Sequence, residues 1–249
     1  MEFIRLRLPP RFLLKHALFR VRRAFKGGDD YDWSNYPDHY RAEVRAGRKW
    51  YNEDLRSTDW KLADGRIFIA ADETPLHPTH RNVWEAVVNL APSSVSEVGM
   101  GGGRFLAGLR VLLGLGVELR GYDVEARQLE LFHELYPAAA ATISSSVLDI
   151  TVSPLPKVTE VVFASTVLMH IRRPEAYRQA LRNLIRSASK AVVLMDNYTT
   201  HDYLADLTSE VGPNALYVYD TGRAVSIVVS LGGALDLPYK PLTSASQLY

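Results

Sequence analysis

Residues 95–104 read Val-Ser-Glu-Val-Gly-Met-Gly-Gly-Gly-Arg, and Phe105, Leu106, Leu109, Leu112 and Leu113 follow at helical spacing. Two β-branched residues around an acid, then a glycine cluster, then an amphipathic run spell strand, tight turn and helix start. Glycine tolerates positive φ and lets a ligand approach the backbone closely. The helix start beyond it offers free N–H groups and a partial positive charge. Such a turn suits a nucleotide-like ligand, although a ligand-free glycine turn has the same local pattern. The dinucleotide fingerprint G-x-G-x-x-G/A does not fit, because counting from Gly99 puts Arg104 at the sixth position and counting from Gly101 puts Leu106 there. The spacing present is Glu97-x-Gly99-x-Gly101-x-Gly103, an acid two residues before the first of three alternating glycines.

Downstream, strands and helices alternate. Residues 117–123 make a second strand ending in Asp123, twenty residues after Gly103. A helix from Ala126 to Tyr136 closes at Pro137. Ser146–Ile150 is a short strand with Asp149 at its end. Glu160 to Ile171 begins as a buried strand and turns through Ser165, Thr166 and His170. A helix over 174–188 leads to a fifth strand ending in Asp196-Asn197, and 215–231 is strand-rich. This alternation predicts a parallel α/β sheet with an antiparallel end.

The ordered set of Glu97/Gly99/Gly101/Gly103, Asp123 and Asp149 resembles the three cofactor motifs of the class I S-adenosylmethionine (SAM)-dependent methyltransferases. The resemblance covers about 150 residues. It implies a seven-stranded Rossmann-like sheet, mostly parallel with antiparallel sixth and seventh strands, flanked by helices. Carried over position by position, it implies that Glu97 and the glycine turn hold the methionine end of SAM. Asp123, with Val124 beside it, would accept from the ribose hydroxyls. Asp149 would hydrogen-bond the adenine amino group while Ile150 packs on the ring, and the reactive methyl would lie near Ser165-Thr166.

Whole-chain numbers bound the rest. At 249 residues and 47% hydrophobic, one α/β domain with an added cap is enough. The net charge of +1 hides an asymmetry. Eight of the 29 basic residues and one of the 28 acidic ones lie in residues 1–26, leaving 21 basic against 27 acidic in the remainder. With no cysteine there is no disulfide framework, thiolate zinc site or cysteine nucleophile, and a cytoplasmic location is expected. No apolar run approaches ~18 residues, so no membrane-spanning helix is expected.

Three segments are expected: a basic amphipathic arm (1–28), an aromatic-rich cap (29–78) and the SAM-binding domain (79–249). In the arm, Leu14, Leu18, Val21 and Phe25 fall on one helical stripe beside Lys15, Arg22, Arg23 and Lys26. It would pack on the body, on a second subunit in a homo-oligomer, or on an anionic membrane at the cytoplasmic face. Residues 31–60 hold Tyr31, Trp33, Tyr36, Tyr40, Trp50, Tyr51 and Trp60, seven of the chain's seventeen Trp and Tyr residues. Such rings stack on sugar faces, or they glue a cap to its body. A helix is expected over about 37–51, a hairpin around Asp64-Gly65, and a helix through Leu90 capped by Thr79.

Transfer to a hydroxyl calls for a general base at the C-terminal strand ends. His170 is the first candidate because histidine titrates near neutrality; packing structurally is its alternative role. Asp196 is the second. The Asp196-Asn197 pair also resembles the magnesium-dependent O-methyltransferases, so Mg2+ is a possible addition, but the fourth-strand acid of those enzymes is replaced here by Ser165. His77, His80, His201 and Tyr198 lie near the expected mouth. The expected activity is SAM-dependent methylation of a small-molecule hydroxyl, with a saccharide or glycolipid acceptor favoured. A tRNA or protein acceptor recruited by the basic arm, or a non-catalytic scaffold with the same fold, are the alternatives; no dedicated nucleic-acid module is visible.

Overall fold

The computed structural model describes residues 33–46, 60–63, 66–69, 78–196, 200–212, 215–220 and 225–235. The arm, much of the cap, His77, Asn197 and Tyr198 lie outside these residues. Chain order is α1 (Tyr36–Arg45), β1 (Trp60–Ala63), β2 (Arg66–Ile69), α2 (Pro78–Asn89), β3 (Ser94–Val98) and α3 (Arg104–Leu113). It continues with β4 (Glu118–Asp123), α4 (Ala126–Leu135), α5 (Pro137–Ala140), β5 (Ser144–Val147), β6 (Thr159–Ser165), a 3-10 turn (Leu168–His170), α6 (Pro174–Ser187), β7 (Ala188–Asp196), α7 (Tyr203–Val211), β8 (Leu216–Asp220) and β9 (Val225–Ser230).

Seven strands form one sheet in the order β5-β4-β3-β6-β7-β9-β8, and β1 and β2 pair separately as the expected antiparallel hairpin. The five strands from β5 to β7 are mutually parallel. β9 runs antiparallel to both β7 and β8. Among the described strands only β9 is therefore reversed against the sheet, where the resemblance implies that the sixth and seventh both are. The last of the described strands, β9, is inserted between β7 and β8.

Both faces are covered, so the central strands alternate between two cores. Val161, Phe163 and Val193 face one with Trp84, Leu106, Leu109 and Phe132. Val162, Ala164, Val192 and Leu194 face the other with Leu181, Leu184 and Leu207. Helix boundaries moved in two places. Thr79 lies inside α2, which starts at Pro78, and Pro137 starts the short α5 rather than only closing α4. Pro137 is tolerated there because a first-turn N–H has no intrahelical partner to lose. α7 was not anticipated. Its cap is Asp202, whose carboxylate accepts from the Ala205 N–H at 3.3 Å.

Strand order reverses between β3 and β6, since β3 continues to β4 on one side and β6 to β7 on the other. Ligands of open α/β sheets bind outside the carboxyl ends of the strands at such a switch point.

Candidate SAM-binding site

A cavity of about 520 Å³ opens at this switch point, within the usual range for small-ligand sites. Its floor is the glycine turn. Gly99, Gly101 and Gly103 all take left-handed φ, at 69°, 51° and 77°. An L-residue there meets its own carbonyl, which accounts for the alternate glycines. The turn is held by strand-end groups. The Gly99 and Met100 N–H groups donate to the Tyr122 carbonyl at 2.8 and 3.1 Å, and the Gly101 N–H donates to Asp123 Oδ2 at 2.9 Å. Asp123 Oδ1 accepts from the Glu125 N–H at 3.0 Å, so this one carboxylate ties the turn to the start of α4.

Glu97, next to last in β3, is almost fully enclosed, at 1% exposure. Burial, and then the neighbouring Asp123 charge, push its carboxyl well above the usual carboxylate range, against a downward pull from the Leu106 N–H. Burial also raises Asp123, opposed by its backbone donors. Ser165 ends β6 at the cavity wall. The next residue, Thr166, has φ 56°, an outlier for a β-branched side chain. It is held by its N–H donating to the Met195 carbonyl at 2.7 Å. Strain of this kind persists only where surrounding bonds over-determine it, and it gathers at functional sites.

Of the residues singled out in the sequence, Glu97, Gly99, Gly101, Asp123, Val124, Asp149, Ile150, Ser165 and His170 all line this cavity. Gly103 belongs to the turn but backs onto Phe132, whose ring a Cβ at 103 would meet at 2.0 Å. Asp149 Oδ1 accepts from the Thr151 N–H and hydroxyl at 2.8 and 2.7 Å. Buried Asn183 pins the same segment by donating to the Ile150 carbonyl at 2.8 Å.

Asp196 is not brought into the cavity. It ends β7 buried, and its Oδ2 accepts from the Met169 N–H at 3.3 Å. His201 is also elsewhere than at the mouth: it is buried behind the 3-10 turn, stacked on Tyr177 at 3.7 Å. Its Nε2 lies 3.0 Å from both the Leu168 and Ile171 carbonyls. Two acceptors on one nitrogen require the Nε2–H tautomer, so His201 fastens the turn that carries His170. Among the described residues, no group of three or more His, Cys, Asp or Glu side chains is placed to hold a metal ion.

Three of the cap aromatics, Trp33, Tyr36 and Tyr40, cover the cavity from α1 and the segment just before it, a placement that no local sequence pattern records. Trp33 meets His170 edge-on, centroids 4.6 Å apart. Tyr40 rests on the glycine turn, since a Cβ at Gly102 would lie 3.2 Å from its ring. On the outside of α1, Arg127 Nη2 donates to both Asp38 oxygens at 2.8 Å and Arg41 donates to Glu134 at 2.9 Å. These bonds dock α1 on α4 and hold the Asp38 carboxyl below the usual range, chiefly through Arg127.

Polar atoms without partners show what the cavity fits. Among the described residues, Glu97 Oε2, Gln128 Oε1 and Ser165 Oγ are buried without a hydrogen-bond partner, and all three residues line the cavity. Such orphans are costly unless a ligand satisfies them. An acceptor at Glu97 suits the α-ammonium of SAM, and the Asp123 carboxylate suits vicinal hydroxyls. The open backbone at Gly101 admits a ligand against the chain, since a Cβ there would meet only Gln128 Oε1, at 4.0 Å.

Comparisons with known proteins agree. Residues 96–193 match the family model described as a methyltransferase domain. The fold is similar to a TehB-like SAM-dependent methyltransferase from Corynebacterium glutamicum, with TM-score 0.52, 14% identity, 79% of this chain covered and 96% of that one. It is also similar to an O-methyltransferase family protein from Burkholderia thailandensis, with TM-score 0.55, 12% identity, 90% of this chain covered and 70% of that one. No curated protein matches the chain in sequence. No helix among the described residues is long and apolar enough to cross a membrane.

Proposed function

We propose that this chain, whose residues 96–193 match the methyltransferase-domain family model, is a SAM-dependent enzyme that transfers a methyl group to a hydroxyl of a small molecule, a saccharide or glycolipid. The observation that carries this reading is the aromatic cover. Trp33 and Tyr36 roof the same cavity that His170 and the Ser165-Thr166 strand end line. Rings with polar tips give a sugar an apolar face to stack on and a wet edge to bond.

SAM, when bound, supplies an electrophilic methyl on a sulfonium, so the protein's work is alignment, exclusion of water and proton removal. Glu97 and the glycine turn would hold its methionine end, Asp123 its ribose, and Asp149 with Ile150 its adenine. The rings of α1 would shut out water on the acceptor side. His170 would accept the acceptor's hydroxyl proton. Burial, and then the Arg172 charge, lower its pKa, which keeps the imidazole neutral and able to accept at physiological pH. His201 would set its position by fixing the turn. Asp196, engaged by the Met169 N–H away from the cavity, has no part in this scheme.

The test is transfer of labelled methyl from SAM into a fractionated cell extract, with and without a chelator. Label in the carbohydrate or lipid fraction is expected. Label in RNA or protein would overturn the acceptor class, and loss of label with the chelator would bring in a metal.

A further inference from the structure

Gln128 is the third residue of α4, only 2% exposed and at the cavity wall. A glutamine at this helix position ordinarily reaches back to the N–H of the capping residue. Here the capping residue is Glu125, and its N–H is already given to Asp123 Oδ1 at 3.0 Å. The usual structural use of the side chain is thus pre-empted, and Gln128 Oε1 is left buried with no donor. Its place is specific. Gly101 sits between the two side chains: its N–H goes to Asp123 Oδ2 at 2.9 Å, and a Cβ on it would lie 4.0 Å from Gln128 Oε1. Asp123 and Gln128 therefore present acceptors on the same stretch of cavity floor. A ligand that satisfies both must carry two adjacent donors, as a ribose with free 2′ and 3′ hydroxyls does.

We propose that Gln128 is a second ribose-binding residue, accepting a hydroxyl hydrogen bond beside the one Asp123 accepts; this rests on the SAM reading of the site. An orphaned acceptor kept for a ligand lowers stability without that ligand, whereas a purely structural glutamine raises it. Replacing Gln128 by methionine, an apolar side chain of similar length, separates the two.

The experiment uses S-adenosylhomocysteine, the cofactor product, and its 2′,3′-dideoxy analogue as calorimetric probes of the native protein, Gln128→Met and Gln128→Leu, with thermal melts of each protein without ligand. Both variants are expected to melt at or above the native temperature. Both should bind S-adenosylhomocysteine about three- to tenfold more weakly, the size of one net hydrogen bond, while binding of the dideoxy analogue is unchanged. Equal losses for both probes, unchanged affinity for S-adenosylhomocysteine, or variants that melt well below native or do not fold would each overturn the proposal. If native protein fails to bind S-adenosylhomocysteine, the SAM reading itself falls. If native protein binds and only the variant comparison fails, Gln128 alone is removed from the site.

Discussion

Replacing Gly101 by alanine, with Gly103→Ala beside it, separates the ligand surface of the glycine turn from its structural back. Both positions hold left-handed φ, 51° and 77°, so each alanine incurs about 1–2 kcal/mol of backbone strain. Their surroundings differ. The new methyl at 101 would meet nothing closer than Gln128 Oε1 at 4.0 Å, and it would enter the cavity. The new methyl at 103 would lie 2.0 Å from Cδ2 and 2.6 Å from Cγ of Phe132, a fully buried ring. Overpacking of that kind adds about 1–3 kcal/mol. Gly103→Ala should therefore lose about 2–5 kcal/mol of stability and Gly101→Ala about 1–2. A chain of this length loses about 2–4 °C of melting temperature per kcal/mol, so thermal melts resolve the two. Calorimetric affinity for S-adenosylhomocysteine should show the reverse ranking: Gly101→Ala should weaken it tenfold or more, about 1.4 kcal/mol. Native affinity in Gly101→Ala would refute the placement of the ligand against this turn.

Four other outcomes are expected. Asp123→Ala should weaken S-adenosylhomocysteine binding by about 1.5–3 kcal/mol, the size of a lost charged hydrogen bond, and calorimetry reads it directly. Glu97 has its folded pKa raised, so its stabilising effect is full below the ordinary value of 4.5 and is lost as pH rises through the folded value. Ligand-free protein should accordingly lose stability over that rise, Glu97→Gln should flatten the dependence, and denaturant unfolding across pH measures both. His170→Gln should cut methyl transfer by about 10²–10⁴ with S-adenosylhomocysteine affinity retained; in native protein the rate should level off below pH 6.5, because the folded pKa of His170 is depressed. Deleting residues 1–26 should leave that affinity intact, which the same calorimetry checks.

The fold and the ligand turn were legible because their signals are local. Glu97, the three glycines and Asp123 each act through the strand end on which they sit, so spacing alone brought them together. Gln128 was not legible: in sequence it is an ordinary helix residue, and its significance arises only when Asp123 takes the Glu125 N–H. Tyr40 reaches the turn across sixty residues through the space Gly102 leaves, which no local pattern records. Asp196 ended its strand as expected, but the Met169 backbone claims its carboxylate. α7 could have been found, since Asp202 precedes Tyr203, Leu204, Leu207 and Val211 at helical spacing. The insertion of β9 could not, because β8 and β9 are both β-rich and packing on β7 decides which is central.

That insertion bears on how the protein is made. Every described residue around the cavity lies before position 174, while the partner of β7 from Ala191 to Asp196 is β9, at 225–230. A chain on the ribosome folds from its N-terminus as it emerges. It can thus complete its ligand turn while the Val192-Val193-Leu194 edge has no neighbour, and an open apolar edge invites pairing with other chains. Products terminated before about residue 225 should collect in inclusion bodies despite carrying all the described cavity-lining residues. A reporter fused beyond Ser230 should stay soluble, because β9, which seals the β7 edge, is by then complete.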